Sequence, residues 1–143
     1  MLSYRRHIAV WAFLIVLCSY GRVPAAETGK LIVELNKFEE IEKSCRAFFL
    51  FRNGTRLAFE SFELSLAVLD GKGVIQRLLT LEAAPLPAER TTLKLFEIPD
   101  TQCEQIGEII LHDIAKCEAT EGQSLQCFDV VELRSLAITP FVK

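Results

Sequence analysis

Past residue 25 this chain has no Trp, no Tyr and no Met, and its one His is His112. A single imidazole excludes a histidine-rich metal site and leaves one residue for general-base work at neutral pH. There is no Cys-x-x-Cys, which removes the common zinc ribbon and the thioredoxin-type redox pair. No Gly-x-Ser-x-Gly marks a nucleophile, and Gly71-x-Gly73 lacks the further glycines, lysine and helix of a phosphate-cradling loop. Long apolar runs are missing too. The stretch Ile8 to Leu17 is about ten residues, against the ~20 a membrane-spanning helix needs. At 143 residues there is room for one core, but not for a nucleotide-binding domain beside a substrate domain.

What is present at the start has a clear order. Arg5, Arg6 and His7 form a basic opening, Ile8 to Leu17 an apolar middle, and Val23-Pro24-Ala25 a small-residue exit. That is the layout of a secretory signal peptide, residues 1–25, with cleavage after Ala25 and Ala26 as the next choice. Ile8 two places after Arg6, with no basic residue closing the motif, suits general secretion at least as well as twin-arginine export. Leu17 is too large to precede a lipidated Cys18. Losing Arg5, Arg6 and Arg22 moves the formal charge from −3 to −6, so nucleic acid and anionic membrane surfaces are unsuitable partners for residues 26–143. The expected location is periplasmic or secreted.

Cys45, Cys103, Cys117 and Cys127 remain in that domain. An even number in an exported chain reads as two disulfides. Cys117 with Cys127 closes a short loop and Cys45 with Cys103 a long one; this is the favoured pairing, with Cys45 to Cys117 left open.

The rest alternates. Leu31 to Leu35 reads as a first strand, with Glu39, Glu40, Glu42 and Lys43 in the connection after it. Cys45, Ala47, Phe49 and Phe51 alternate with Arg46, Phe48, Leu50 and Arg52, a strand of period two. Asn53-Gly54-Thr55 reads as a tight turn and is also a glycosylation sequon, which a bacterial-type leader makes fortuitous. From Leu57 to Val68 the apolar phase slips by one near Glu60-Ser61, predicting a bulge or a change of sheet. Asp70-Gly71-Lys72-Gly73 is a hairpin turn, Val74 to Leu81 its return strand, and Pro85-Leu86-Pro87 a crossing loop. Thr91 to Ile98 is a strand ended by Pro99-Asp100. Cys103, Ile106, Ile110, Ile114 and Cys117 share a helical face, yet the isoleucines and Gly107 suit a strand, so a short turn and a strand from Glu108 to Ala115 are expected. Glu118 to Gln126 is expected as a hairpin connection, and Cys127 to Leu136 as the last strand. The sum is an all-β, antiparallel, disulfide-stapled β-sandwich of about seven strands.

The segments Cys45 to Thr55, Leu66 to Asp70, Gly71 to Gly73 and Pro85-Leu86-Pro87 resemble the middle of small immunoglobulin-like extracytoplasmic domains of the FxLYD type, although Leu66 and Leu69 stand where that family has Phe and Tyr. The whole chain is similar to small exported proteins of alphaproteobacteria. These resemblances imply an immunoglobulin-like sandwich with a disulfide from Cys45 between its sheets, and no catalytic residue. The domain has no Trp of the kind true immunoglobulin domains carry.

The functional expectation is a non-enzymatic binding protein whose partner is another envelope protein, with no cofactor and no metal. The candidate surface is Arg46, Phe48, Leu50 and Arg52 on the outward face of their strand. A small-ligand protein binding between the sheets or at the loop end is the alternative, favoured by a closed apolar cavity lined by Phe59, Phe62 and Leu66. A hydrolase using His112 comes third, because Asp113, its sequence neighbour, points to the opposite face of a strand.

Overall fold

The computed structural model describes residues 29–120 and 126–143. The expected signal peptide, residues 1–25, with Cys18, and the alternative cleavage residue Ala26 lie outside them. Eight strands form two four-stranded sheets packed face to face. One sheet has the order β5-β2-β1-β7, from β1 (Leu31–Ile41), β2 (Ser44–Asn53), β5 (Arg90–Ile98) and β7 (Val131–Ser135). The other has the order β4-β3-β6-β8, from β3 (Phe59–Asp70), β4 (Ile75–Glu82), β6 (Ile106–Ala119) and β8 (Phe141–Val142).

The sandwich stands as expected, but its sheets are mixed. β7 runs parallel to β1 and β8 parallel to β6, while every other strand pair is antiparallel. Parallel neighbours must be joined through long connections, so nothing local in the sequence announces them. β8, two residues long, is the strand beyond the expected seven.

Alternation builds the core. Ala47, Phe49 and Phe51 of β2 face inward, and Val33 and Leu35 of β1 join them from beside. From the second sheet come Phe59, Phe62, Leu64 and Leu66. Phe51 meets Phe62 edge-on across the sheets with centroids 6.5 Å apart, and Phe49 meets Phe141 at 5.5 Å. The predicted phase slip is a bulge: Phe59 pairs with Ala119 and Ser61 with Glu118, which leaves Glu60 unpaired and exposed. Asp70 shapes the β3–β4 turn, its Oδ1 accepting from the Lys72 and Val74 amides, with Gly73 at φ +79°. The loop through Pro85 and Pro87 crosses from the second sheet to the first.

Four expectations need correction. Glu39 and Glu40 are not in a connection, since β1 continues to Ile41 and only Glu42-Lys43 turn the chain. Both charges have partners: Glu39 meets Arg46 of the neighbouring strand at 3.4 Å, and Glu40 accepts from the Cys103 amide of the segment after β5 at 2.9 Å. Asn53-Gly54-Thr55 does not close a hairpin, because β2 and β3 belong to different sheets. Its Asn53 is instead a buried tie, 2% exposed, with Nδ2 within reach of the Leu57, Leu86 and Pro87 carbonyls. The segment after β6 is not a hairpin either, since β7 lies in the other sheet. Finally, Cys127–Val130 is a helical turn, α1, ahead of β7 rather than the start of that strand.

Residues 103–119 are a 3₁₀ turn, Cys103–Gln105, followed by β6, which is longer than expected at both ends. The disulfides are Cys45–Cys103 and Cys117–Cys127, so the long Cys45–Cys117 bridge does not form. Cys45 is tied to the 3₁₀ turn between sheets, not to a facing strand as the immunoglobulin resemblance implied.

Candidate interaction face

The outward side of the first sheet can be read row by row from its register. Arg46 lies between Glu39 and Glu97, Phe48 between Lys37 and Leu95, Leu50 between Glu34 and Leu93, and Arg52 between Ile32 and Thr91. Period-two geometry brings all four candidate residues to one face, since their neighbours Cys45, Ala47, Phe49 and Phe51 point into the core. Phe48 and Leu50 are half-buried there.

Two residues that the sequence reading missed complete the patch. Leu93 and Leu95 of β5 are 52% and 49% exposed, and with Phe48 and Leu50 they make two adjacent apolar rows at the sheet edge. β5 alternates Leu93 and Leu95 with Thr92, Lys94 and Phe96, so both faces carry apolar side chains and periodicity alone does not say which faces out.

Charge closes the patch at both ends. Lys37 Nζ lies 4.4 Å from the centre of the Phe48 ring, and Arg46 pairs with Glu39 above it. Below, Arg52 reaches Glu34 at 3.3 Å, and the Asn36 amide donates to the same carboxylate at 3.1 Å. Glu34 is outward-facing yet only 4% exposed, because Arg52 and its own sheet neighbours cover it. Burial pushes its carboxyl pKa up, but hydrogen bonds from Asn36 and Arg52 and the charges of Arg52 and Arg134 outweigh this and hold it below the ordinary value. Beside it Glu132 joins Arg134 and Lys30 at 3.2 and 3.3 Å. The face is thus an apolar centre whose flanking charges are largely paired among themselves.

The alternatives place their residues elsewhere. Phe59 and Phe62 pack edge-on at 5.4 Å, and with Leu66 they are buried in the core. The four clefts described are lined by other residues; the one of about 430 Å³ lies between the β3–β4 turn and the segment Asp100–Gln105. His112 is exposed at a bulge of β6, where Ser65 pairs with Asp113 and Leu66 with Leu111. Asp113 turns its Oδ1 to the Ile114 amide. Among the described residues no three of His, Cys, Asp and Glu gather as a metal site, and no helix is long and apolar enough to cross a membrane.

No family model matches the chain, and no curated protein matches it. Among solved structures it is similar to one described as the structural characterization of IrmA from Escherichia coli, at 18% identity and a TM-score of 0.56, over 73% of this chain and 90% of that one. At that identity the likeness speaks for the fold.

Proposed function

We propose that this chain is an exported, non-enzymatic binding domain whose partner is another envelope protein, docked on the face centred on Phe48, Leu50, Leu93 and Leu95. The observation that carries the reading is the pair of half-exposed leucines laid beside two aligned apolar neighbours on an open sheet. Apolar side chains gathered in this way, with charge around them, are the anatomy of a protein-binding patch. Arg46–Glu39 and Arg52–Glu34 are already paired, so a partner would bury the apolar centre without leaving those ions unmatched. The partner's complementary surface is therefore apolar at its centre with little net charge. Two disulfides fit an oxidising compartment, which supports placement outside the cytoplasm. Phe59, Phe62 and Leu66 are packed in the core, which speaks against the ligand-binding alternative in its between-the-sheets form.

Crosslinking in cells followed by mass spectrometry tests this. A partner held near-stoichiometrically by the native protein and lost from the Leu93→Lys/Leu95→Lys double variant is the expected result. If the captured set is the same for both, or contains only further copies of the chain, the reading fails.

A further inference from the structure

β4 ends the second sheet, and among the described residues nothing pairs with its outer edge. The other strand edges are guarded in familiar ways. β7 and β8 are five and two residues long, and β5 carries Lys94 in its middle, tied to the Ala84 carbonyl at 3.0 Å. On β4 the guards sit only at the start. Gln76 is bulged out of register and Arg77 faces inward opposite Val68. After them comes the uncharged run Leu78-Leu79-Thr80-Leu81. Its free amides and carbonyls form a ladder that another extended chain matches in direction and spacing.

The side chains beside this edge narrow the choice of chain. On the outward face, Leu78 ends a row that runs Val142, Ile110, Ala67, Leu78 across the whole sheet. Leu78 is 68% exposed at the open end of that row. Four residues on, Glu82 ends the row Lys116, Glu63, Glu82. Lys116 answers Glu63 at 3.0 Å, leaving two carboxylates side by side. Glu82 Oε1 accepts from the Phe62 and Ala84 amides, and Oε2 has no hydrogen bond among the described residues. Like charges directly opposite each other are unfavourable on a sheet, and a cation at the next place in the row would relieve them.

We propose that the β4 edge takes an added strand from a partner protein, one that presents an apolar residue opposite Leu78 and a Lys or Arg opposite Glu82, four residues apart on the same face. A second copy paired β4 to β4 does not meet that requirement. β4 turns Ile75, Leu78, Thr80 and Glu82 outward, so a copy paired in continuous register brings no cation to Glu82. This surface is separate from the Phe48 face and does not rest on it.

The probe is a displayed library of random peptides about ten residues long, the length of a typical strand, selected against the disulfide-bonded protein. Selected sequences are expected to share a basic residue four places from an apolar one, and to bind about tenfold or more weaker to the Leu78→Lys variant. Selection against Glu82→Lys is expected to exchange the basic residue for Asp or Glu. Leu78 is exposed, so its Lys variant should keep native amide exchange in β3 and β6, which separates lost binding from lost fold. Failure to select peptides, peptides without the spacing, or binding indifferent to both substitutions would overturn the proposal. A concentration-dependent dimer dissolved by Leu78→Lys would assign the edge to a second copy and overturn it equally.

Discussion

Replacing Asn53 with Ala removes five hydrogen bonds at once: those to the Leu57, Leu86 and Pro87 carbonyls, and those from the Thr55 amide and hydroxyl. Most of the groups left behind are buried, so a loss of about 3 kcal/mol is expected in urea unfolding. Asn53→Asp should be no better, since three carbonyls would then face a carboxylate. This geometry also answers the sequon, because a side chain enclosed by three carbonyls has no room for a glycan in the folded protein. Glu34 gives a pH prediction. Its folded pKa lies below the ordinary 4.5, so its stabilisation is fully present above that value and is lost as the pH falls through the lower folded one. Glu34→Gln should therefore flatten the fall in melting temperature below about pH 4.5; an unchanged acid limb would show that the Arg52 pair contributes nothing to it. Asp70, held low chiefly by the Val74 and Lys72 amides, retains its own share of that limb.

β6 explains at the level of an element why part of the fold was legible and part was not. The Asp70 turn, the slip at Glu60 and the period of β2 are local patterns, and they could be read. In β6 the inward residues are Ile106, Ile109, Leu111, Ile114 and Cys117, because bulges at Gly107, His112 and Ala115 insert extra residues. Those steps of two and three residues imitate the spacing of a helix, hence the mixed signal. Phe48 and Leu50 were legible from the period of β2, whereas Leu93 and Leu95 required knowing that β5 lies beside it. At Gly107 an added Cβ would stand 2.4 Å from the Asp70 carbonyl oxygen, with backbone that cannot step aside. Gly107→Ala is expected to cost about 2 to 3 kcal/mol, and a neutral result would mean that the bulge relocates. The disulfides act on unequal loops, with sequence separations of 58 and 10 residues. Paired Cys→Ser replacements should thus cost about 4 kcal/mol for Cys45 with Cys103 and about 3 for Cys117 with Cys127, read from denaturant midpoints.

Across the whole molecule, β7 and β8 each sit on one edge of a different sheet, so the last strands in sequence close both halves of the sandwich. Phe141 is the visible case, buried and edge-on to Phe49. Phe141→Ala should lose about 3 to 4 kcal/mol, as expected for an aromatic removed from a packed interior. The parallel pairing of β1 with β7 has a consequence in time as well as in space. Leu31 lies beside Val131, so the first strand cannot acquire its second neighbour until a hundred residues later have been made. A chain emerging from the ribosome would carry β1 half-paired for nearly the whole of its synthesis. The sandwich can therefore close as a unit only after its last strands have been made.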